Sequence, residues 1–88
     1  MAVEDLGAIW DHVAQDSPAA ADLLIDGFTA TFELLRTSPF IGIATPELDP
    51  EMRRFPTGQY VEFYAVEEDR IVIRRVLHGA RDIAALFG

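Results

Sequence analysis

The chain has 88 residues, 50% of them hydrophobic, which predicts one small domain spanning residues 1–88 with a single core. Fifteen acidic residues face seven arginines and no lysine, and the net charge of −8 disfavours direct binding of DNA or RNA through their phosphates. Because there is no cysteine, disulfides and thiolate metal sites are excluded.

Two amphipathic helices are predicted in the first half of the chain. Apolar residues at helical spacing predict the first over residues 3–15. Ser17 can cap a second helix over residues 18–37, whose first position suits Pro18. Residues 1–44 hold seven acids and one arginine, so both helices are expected to expose an acidic outer face.

Prolines and a glycine interrupt the next stretch and predict a connecting segment over residues 37–50, anchored by packed Phe40, Ile41 and Leu48. A short strand follows over residues 52–55. It is expected to end in a turn at Pro56-Thr57-Gly58.

Two longer strands are predicted over residues 59–66 and 70–78, with a turn at 67–69 and a closing helical turn over 82–87. The fold class is therefore α+β: a helix hairpin packed on one face of a small antiparallel sheet of three to four strands. Both long strands carry apolar side chains on both faces, so we expect a partner protein to cover what the helices leave open. The residues expected to be exposed for that partner are Tyr60, Tyr64, Val72 and Val76.

Metal, cofactor and membrane chemistry have little support in the sequence. His12 and His78 are far apart in the chain and belong to no metal-binding motif, so neither a metal nor a cofactor is expected. No apolar run approaches the roughly 18 residues of a membrane span. Glu4 and Asp5 stand where a signal peptide carries basic residues, so the expected location is the cytoplasm.

Most of the arginines lie in the predicted sheet, where they can form a cationic group for a target. Fixed planar guanidinium donors suit carboxylate or phosphate. An equally open interpretation is that they pair with the chain's own acids. His78 beside them suits either proton transfer or a packed strand end. The residues predicted to bind the target are Arg53, Arg54, Arg74, Arg75, His78 and Arg81.

Short segments spread over nearly the whole chain match the pattern of a known family: Glu4-Asp5-Leu6, Ile9-Trp10, Pro18-Ala19-Ala20-Ala21, Arg54-Phe55-Pro56 and the run from Arg75 to Asp82. Through these segments the chain resembles the RelE/ParE toxins of bacterial type II toxin–antitoxin modules, and more closely the ParE branch. The resemblance implies a toxin that binds DNA gyrase without catalysis and is silenced by a cognate antitoxin in a hetero-oligomer. Because this chain is acidic, the antitoxin tail is expected to bring basic residues.

Two alternatives remain open at this point: a ribosome-dependent ribonuclease of the RelE branch, and an inactive toxin-like binding module. The ribonuclease would use Arg75, His78 and Arg81, but Val61 stands where that branch carries a basic residue, and the sequence offers no C-terminal tyrosine. Relatives usually begin with a strand before the first helix. Either such a strand is missing from the start of this sequence, or a partner strand completes the sheet, in which case the isolated chain has an unpaired edge.

Overall fold

The computed structural model describes residues 2–79. Its elements are α1 (Ala2–Ala14), α2 (Pro18–Thr37), β1 (Ile43–Ala44), β2 (Met52–Thr57), β3 (Tyr60–Glu67) and β4 (Arg70–His78). The strands form one antiparallel sheet in chain order, so β1 and β4 are its outer strands among the described residues. This is the predicted α+β architecture of two helices followed by a small sheet. The helical turn predicted over residues 82–87 lies outside the described residues.

Both helices form where apolar spacing predicts them, with α1 beginning and ending one residue earlier than expected. The Ser17 hydroxyl accepts a hydrogen bond from the Ala20 amide at 3.1 Å and caps α2, whose first residue is Pro18. Trp10 ties the hairpin together, because its indole Nε1 donates to Asp22 Oδ1 at 3.0 Å. No described residue of α1 is fully buried, whereas α2 buries four side chains, so α2 is the helix that anchors the hairpin.

Tight turns join the longer strands. Gly58 and Gln59 connect β2 to β3, and Gly58 has a φ of 60°, which glycine adopts without steric cost. Glu68 and Asp69 connect β3 to β4 within the predicted turn. The sequence predicts that β2 ends at residue 55, but the strand continues through Pro56. It can do so because β1 pairs only with earlier residues of β2, which leaves Pro56 on an open edge where its missing N–H is tolerated.

A β-bulge in β4 decides which of its side chains share a face. Phe63 pairs with Arg75, whereas the next residue of β3, Tyr64, pairs with Ile73. Arg74 is therefore an extra residue in β4. Successive side chains of a strand point to opposite faces of the sheet. The extra residue therefore reverses this alternation at Arg74, so residues of β4 before and after it that would share a face in a regular strand lie on opposite faces.

The two faces of the sheet are covered differently. On the helix face, the Tyr60 ring meets the Phe28 ring of α2 edge to face, with ring centroids 5.6 Å apart. The opposite face holds a buried cluster made by Met52, Phe63 and Leu77, against which Leu48 and Val61 pack. Phe63 at its centre is only 1% exposed. The expectation that this face is left open for a partner is thus wrong at its centre, where the turn after β1 folds Leu48 onto the cluster.

Candidate functional site

Asp5 of α1 and Arg75 of β4 join the helix hairpin to the edge of the sheet. Arg75 Nε and Nη2 donate to the two carboxylate oxygens of Asp5 at 2.7 and 3.0 Å, a bidentate ion pair. Asp5 Oδ2 also accepts from the Val76 backbone N–H at 3.0 Å. Burial raises the pKa of Asp5, but the hydrogen bonds from Arg75 and Val76 outweigh it and hold the pKa below its usual value.

This carboxylate serves the backbone as well as the guanidinium. The Val76 N–H lies at the outer edge of β4, where a neighbouring strand would normally supply an acceptor. Asp5 supplies that acceptor from a helix. The edge of β4 is therefore partly closed by the chain's own side chain.

A cleft of about 610 Å³ separates α1 from the end of β4. The rings of Tyr60 and His78 meet there edge to face with centroids 5.2 Å apart, and His12 and Arg75 also line the cleft. The structure thus brings together His78 and Arg75 of the predicted ribonuclease set, with His78 packed against an aromatic ring. Arg81 lies outside the described residues.

Two of the arginines predicted to bind a target, Arg54 of β2 and Arg75 of β4, occupy matching positions on either side of β3. Arg54 and Arg75 flank Phe63 in register, but Arg75 is engaged by Asp5. Arg54 is exposed and makes no ion pair within residues 2–79. The two side chains therefore occupy the same row of the sheet in different electrostatic states.

Arg53 and Arg74 are also engaged by the chain itself. Arg53 Nη1 donates to the Gly42 carbonyl at 2.8 Å, and its guanidinium lies 5.1 Å from the centroid of the Phe40 ring, a cation–π contact. Arg74 Nη2 donates to Glu67 Oε2 at 2.8 Å on the surface. Their side chains do not converge on one point, because each is drawn to a local partner.

The structure divides the four residues predicted to bind the antitoxin. Tyr64 and Val76 are 0% and 1% exposed, so the expectation that they are exposed is wrong. Both face the chain's own helices. Val72 pairs with Ala65 and lies on the opposite face, because the bulge changes the facing of β4. Tyr60 and Val72 are half-buried, and their role at a partner surface remains a prediction.

Three exposed apolar side chains lie close together in the chain just before and within β1, while others lie singly on the helices. Phe40, Ile41 and Ile43 are 66%, 44% and 59% exposed. Of the three anchors predicted for the connecting segment, only Leu48 is packed, and the prediction is wrong for Phe40 and Ile41. The backbone of this segment is held by Tyr64, whose hydroxyl accepts a hydrogen bond from the Gly42 amide at 2.9 Å.

A buried carboxyl group lies between β3 and α2. Glu62 is fully buried, and its Oε2 accepts from the Thr57 hydroxyl at 2.6 Å, which in turn lies 2.9 Å from the Thr31 hydroxyl. Its Oε1 has no hydrogen-bond partner in the described structure. Burial raises the pKa of Glu62 to about 7, against the opposing effect of the Thr57 hydrogen bond.

Sequence reasoning missed both Asp5 and Glu62. The period of two along residues 59–66 places Glu62 on the same face as two tyrosines, which is the signal that this acid enters the core. No comparable signal identifies Asp5. A first-turn carboxylate is favoured by the helix dipole alone, and its pairing with Arg75 joins positions 70 residues apart.

Neither described helix is long and apolar enough to cross a membrane. No three His, Asp or Glu side chains among residues 2–79 are grouped to hold a metal ion. Ser17 and Ser38 lie at the two ends of α2, where the Ser17 hydroxyl accepts from the Ala20 amide and the Ser38 backbone N–H donates to the Leu34 carbonyl.

Residues 1–83 match the model of a family described as the ParE toxin of the type II toxin–antitoxin system, parDE. The chain belongs to the ParE toxin family. It is accordingly a toxin of a type II toxin–antitoxin system, with an antitoxin as its partner. The match includes both helices and all four strands, and with them Asp5, Arg75 and Glu62. No curated protein matches the chain by sequence.

Proposed function

We propose that this ParE toxin arrests growth by binding DNA gyrase without catalysis, and that its antitoxin neutralises it in a cytoplasmic hetero-oligomer. The observation that carries the non-catalytic part is the bidentate pairing of Arg75 with Asp5. A guanidinium that donates to a carboxylate through two nitrogens and is only 22% exposed is poorly placed to stabilise a phosphate. Choosing gyrase as the target follows the resemblance to the ParE branch.

The remaining features of the cleft also favour binding over cleavage. An RNA-cutting site needs cations that hold phosphate and a group that moves a proton. His78 packs on the Tyr60 ring, and Val61 follows Tyr60 where the RNA-cutting branch carries a basic residue. The net charge of −8 opposes the approach of an RNA backbone.

The outer face of the helix hairpin supports a basic partner. Six acidic residues of α1, α2 and the turn between them are exposed, and the described part of the hairpin holds one arginine. A basic antitoxin segment would neutralise this face, and the affinity would fall as salt rises. The exposed acids are Glu4, Asp11, Asp16, Asp22, Asp26 and Glu33.

Inducible expression with and without the neighbouring open reading frame tests the proposal. We expect growth arrest with filamentation, rescue by the neighbour, loss of supercoiling by purified gyrase, and no new mRNA 5′ ends. New 5′ ends in translated mRNA with gyrase unaffected would instead support the ribonuclease. Full growth without the neighbour would indicate an inactive binding module.

A pair of arginine variants sharpens this test. Arg74 projects from the bulge with its side chain 44% exposed, so Arg74→Ala is expected to weaken gyrase inhibition about tenfold while antitoxin binding persists. Arg36→Ala is the matched control, because Arg36 is an exposed arginine of α2 in a similar surface ion pair. Equal inhibition by both variants would remove Arg74 from the gyrase surface.

A further inference from the structure

β1 leaves a backbone position unpaired at the outer edge of the sheet. The Thr45 amide donates to the Met52 carbonyl at 2.9 Å, which fixes the hydrogen-bonding phase between β1 and β2. In an antiparallel pair the preceding residue, Ala44, then directs its N–H and C=O away from β2. Ala44 is exposed, and no described strand lies beyond β1. The edge thus offers one donor and one acceptor side by side.

Apolar side chains border this position. Phe40, Ile41 and Ile43 are the exposed group described above, and all three lie within four residues of Ala44. The segment is held in place, since Arg53 binds the Gly42 carbonyl and lies against the Phe40 ring. An ordered apolar surface of this kind binds with little loss of conformational entropy.

The local charge indicates which partner fits. Arg54 is the register neighbour of Ile43, so both side chains lie on the same face of the sheet. Arg54 is exposed and, within the described chain, has no acidic partner. A second copy of the chain would bring a net charge of −8 and the same unpaired arginine, which makes self-association at this edge unfavourable. A strand that carries a carboxylate fits better.

We propose that this edge is the docking surface for an extended apolar segment of the antitoxin that carries a carboxylate, separate from the basic segment proposed to meet the acidic face of the helix hairpin. The segment would pair its backbone with Ala44, cover Phe40 and Ile43, and place a carboxylate against Arg54. The inference rests on the proposed function in taking the antitoxin as the partner. A lasting partner suits the site, because exposed apolar surface favours aggregation whenever it is uncovered.

Charge-reversal variants of the purified toxin, titrated with the antitoxin from the neighbouring gene, test this surface. Arg54→Glu is expected to weaken binding about tenfold or more, because it places an acid against the antitoxin's carboxylate. Arg70→Glu is the matched control, since Arg70 is an exposed β4 residue at the far hairpin and the change in net charge is identical. It is expected to leave the affinity within about twofold.

Ala44→Pro tests the backbone contact separately. Proline removes the N–H that an added strand would use, so the affinity is expected to fall about tenfold while the melting temperature stays near that of the wild type. Should this variant fail to fold, hydrogen exchange on the unmodified chain provides the same information. Antitoxin binding is expected to slow exchange of the Ala44 amide, and an unchanged rate would contradict the proposal.

The outcomes separate this inference from the proposed function. If the wild-type toxin does not bind the antitoxin, both are refuted. If it binds but Arg54→Glu and Ala44→Pro bind equally well, the docking surface is refuted and the toxin function stands. If Arg54→Glu abolishes gyrase inhibition with unchanged antitoxin affinity, the edge belongs to the target, which also overturns the proposal.

Discussion

The two outer strands of the sheet differ at their free edges: the edge of β4 is bound by the chain's own helix, and the edge of β1 is open within the described chain. At β4, the Asp5 carboxylate accepts from the Val76 N–H and neutralises Arg75, so the edge is tied to α1. At β1, Ala44 faces outward and Arg54 has no acidic partner within residues 2–79. The contrast indicates that stability of the isolated chain depends on the β4 edge, while the β1 edge is available for binding.

The largest effect is expected at the tied edge. Asp5→Ala leaves the Arg75 guanidinium and the Val76 N–H without their acceptor and should lower the free energy of unfolding by about 3 kcal/mol. Denaturation by urea measures it. Glu33→Ala removes an acid from the exposed Arg36 pair and is the matched control, with no measurable loss expected. Equal stability of the two variants would refute the structural role of the β4 edge.

Between the edges, the centre of the sheet should respond to pH with the opposite sign to Asp5. The pKa of Glu62 is raised from 4.5 to about 7 by burial. Between these pH values the unfolded chain releases the proton and the folded chain keeps it, so stability falls as pH rises. The free energy of unfolding should fall by about 2 kcal/mol, which is less than the full pKa difference implies because partial hydration reduces the effect of burial. The pKa of Asp5 is lowered, so its contribution is instead lost as pH falls below its usual 3.8.

Glu62→Gln separates these two responses. The amide does not ionise, so the decline in unfolding free energy between pH 4.5 and 7 should disappear, while the acid loss attributed to Asp5 persists. Unfolding curves recorded across this pH range provide the measurement. A decline of the same size in the variant would show that another group causes it.

A smaller effect is expected where the β1 segment crosses Tyr64. A Cβ on Gly42 would overlap the Tyr64 hydroxyl and lie 2.9 Å from the Arg54 carbonyl oxygen. Gly42→Ala should therefore cost about 1–2 kcal/mol and displace the segment. Gly27→Ala is the control, because a Cβ there meets nothing within 4 Å and alanine favours the helix. Destabilisation by Gly27→Ala equal to that by Gly42→Ala would argue against the close approach.

Local patterns in the sequence predicted both helices and the two long strands, but not β1, which lies within the predicted connecting segment. The spacing of apolar residues and the Ser17-Pro18 start place α2 at the observed bounds, and alternation locates the two long strands. These features depend on residues close in the chain. The same holds for the turn before β4, where two polar residues link paired strands.

The site was harder to predict because it depends on distant contacts and on one inserted residue. Alternation assumes an unbroken ladder, so the bulge at Arg74 separates Val72 from Val76 although their spacing suggests one face. Burial of Tyr64 follows from its hydrogen bond to the Pro39 carbonyl at 2.7 Å, 25 positions away. Composition alone does not reveal which arginines the chain's own acids neutralise.

The smallest expected effect distinguishes the two edges most directly. Arg54→Glu should change the free energy of unfolding by less than about 0.5 kcal/mol, because Arg54 is exposed and has no acidic partner in the described chain to lose. Arg75→Glu, the same substitution in the same row of the sheet, places an acid beside Asp5 and should destabilise the chain by about 3 kcal/mol. Thermal melts of both variants test this difference. If Arg54→Glu destabilises the chain as much as Arg75→Glu does, Arg54 contributes to folding, and the β1 edge is not simply a free binding surface.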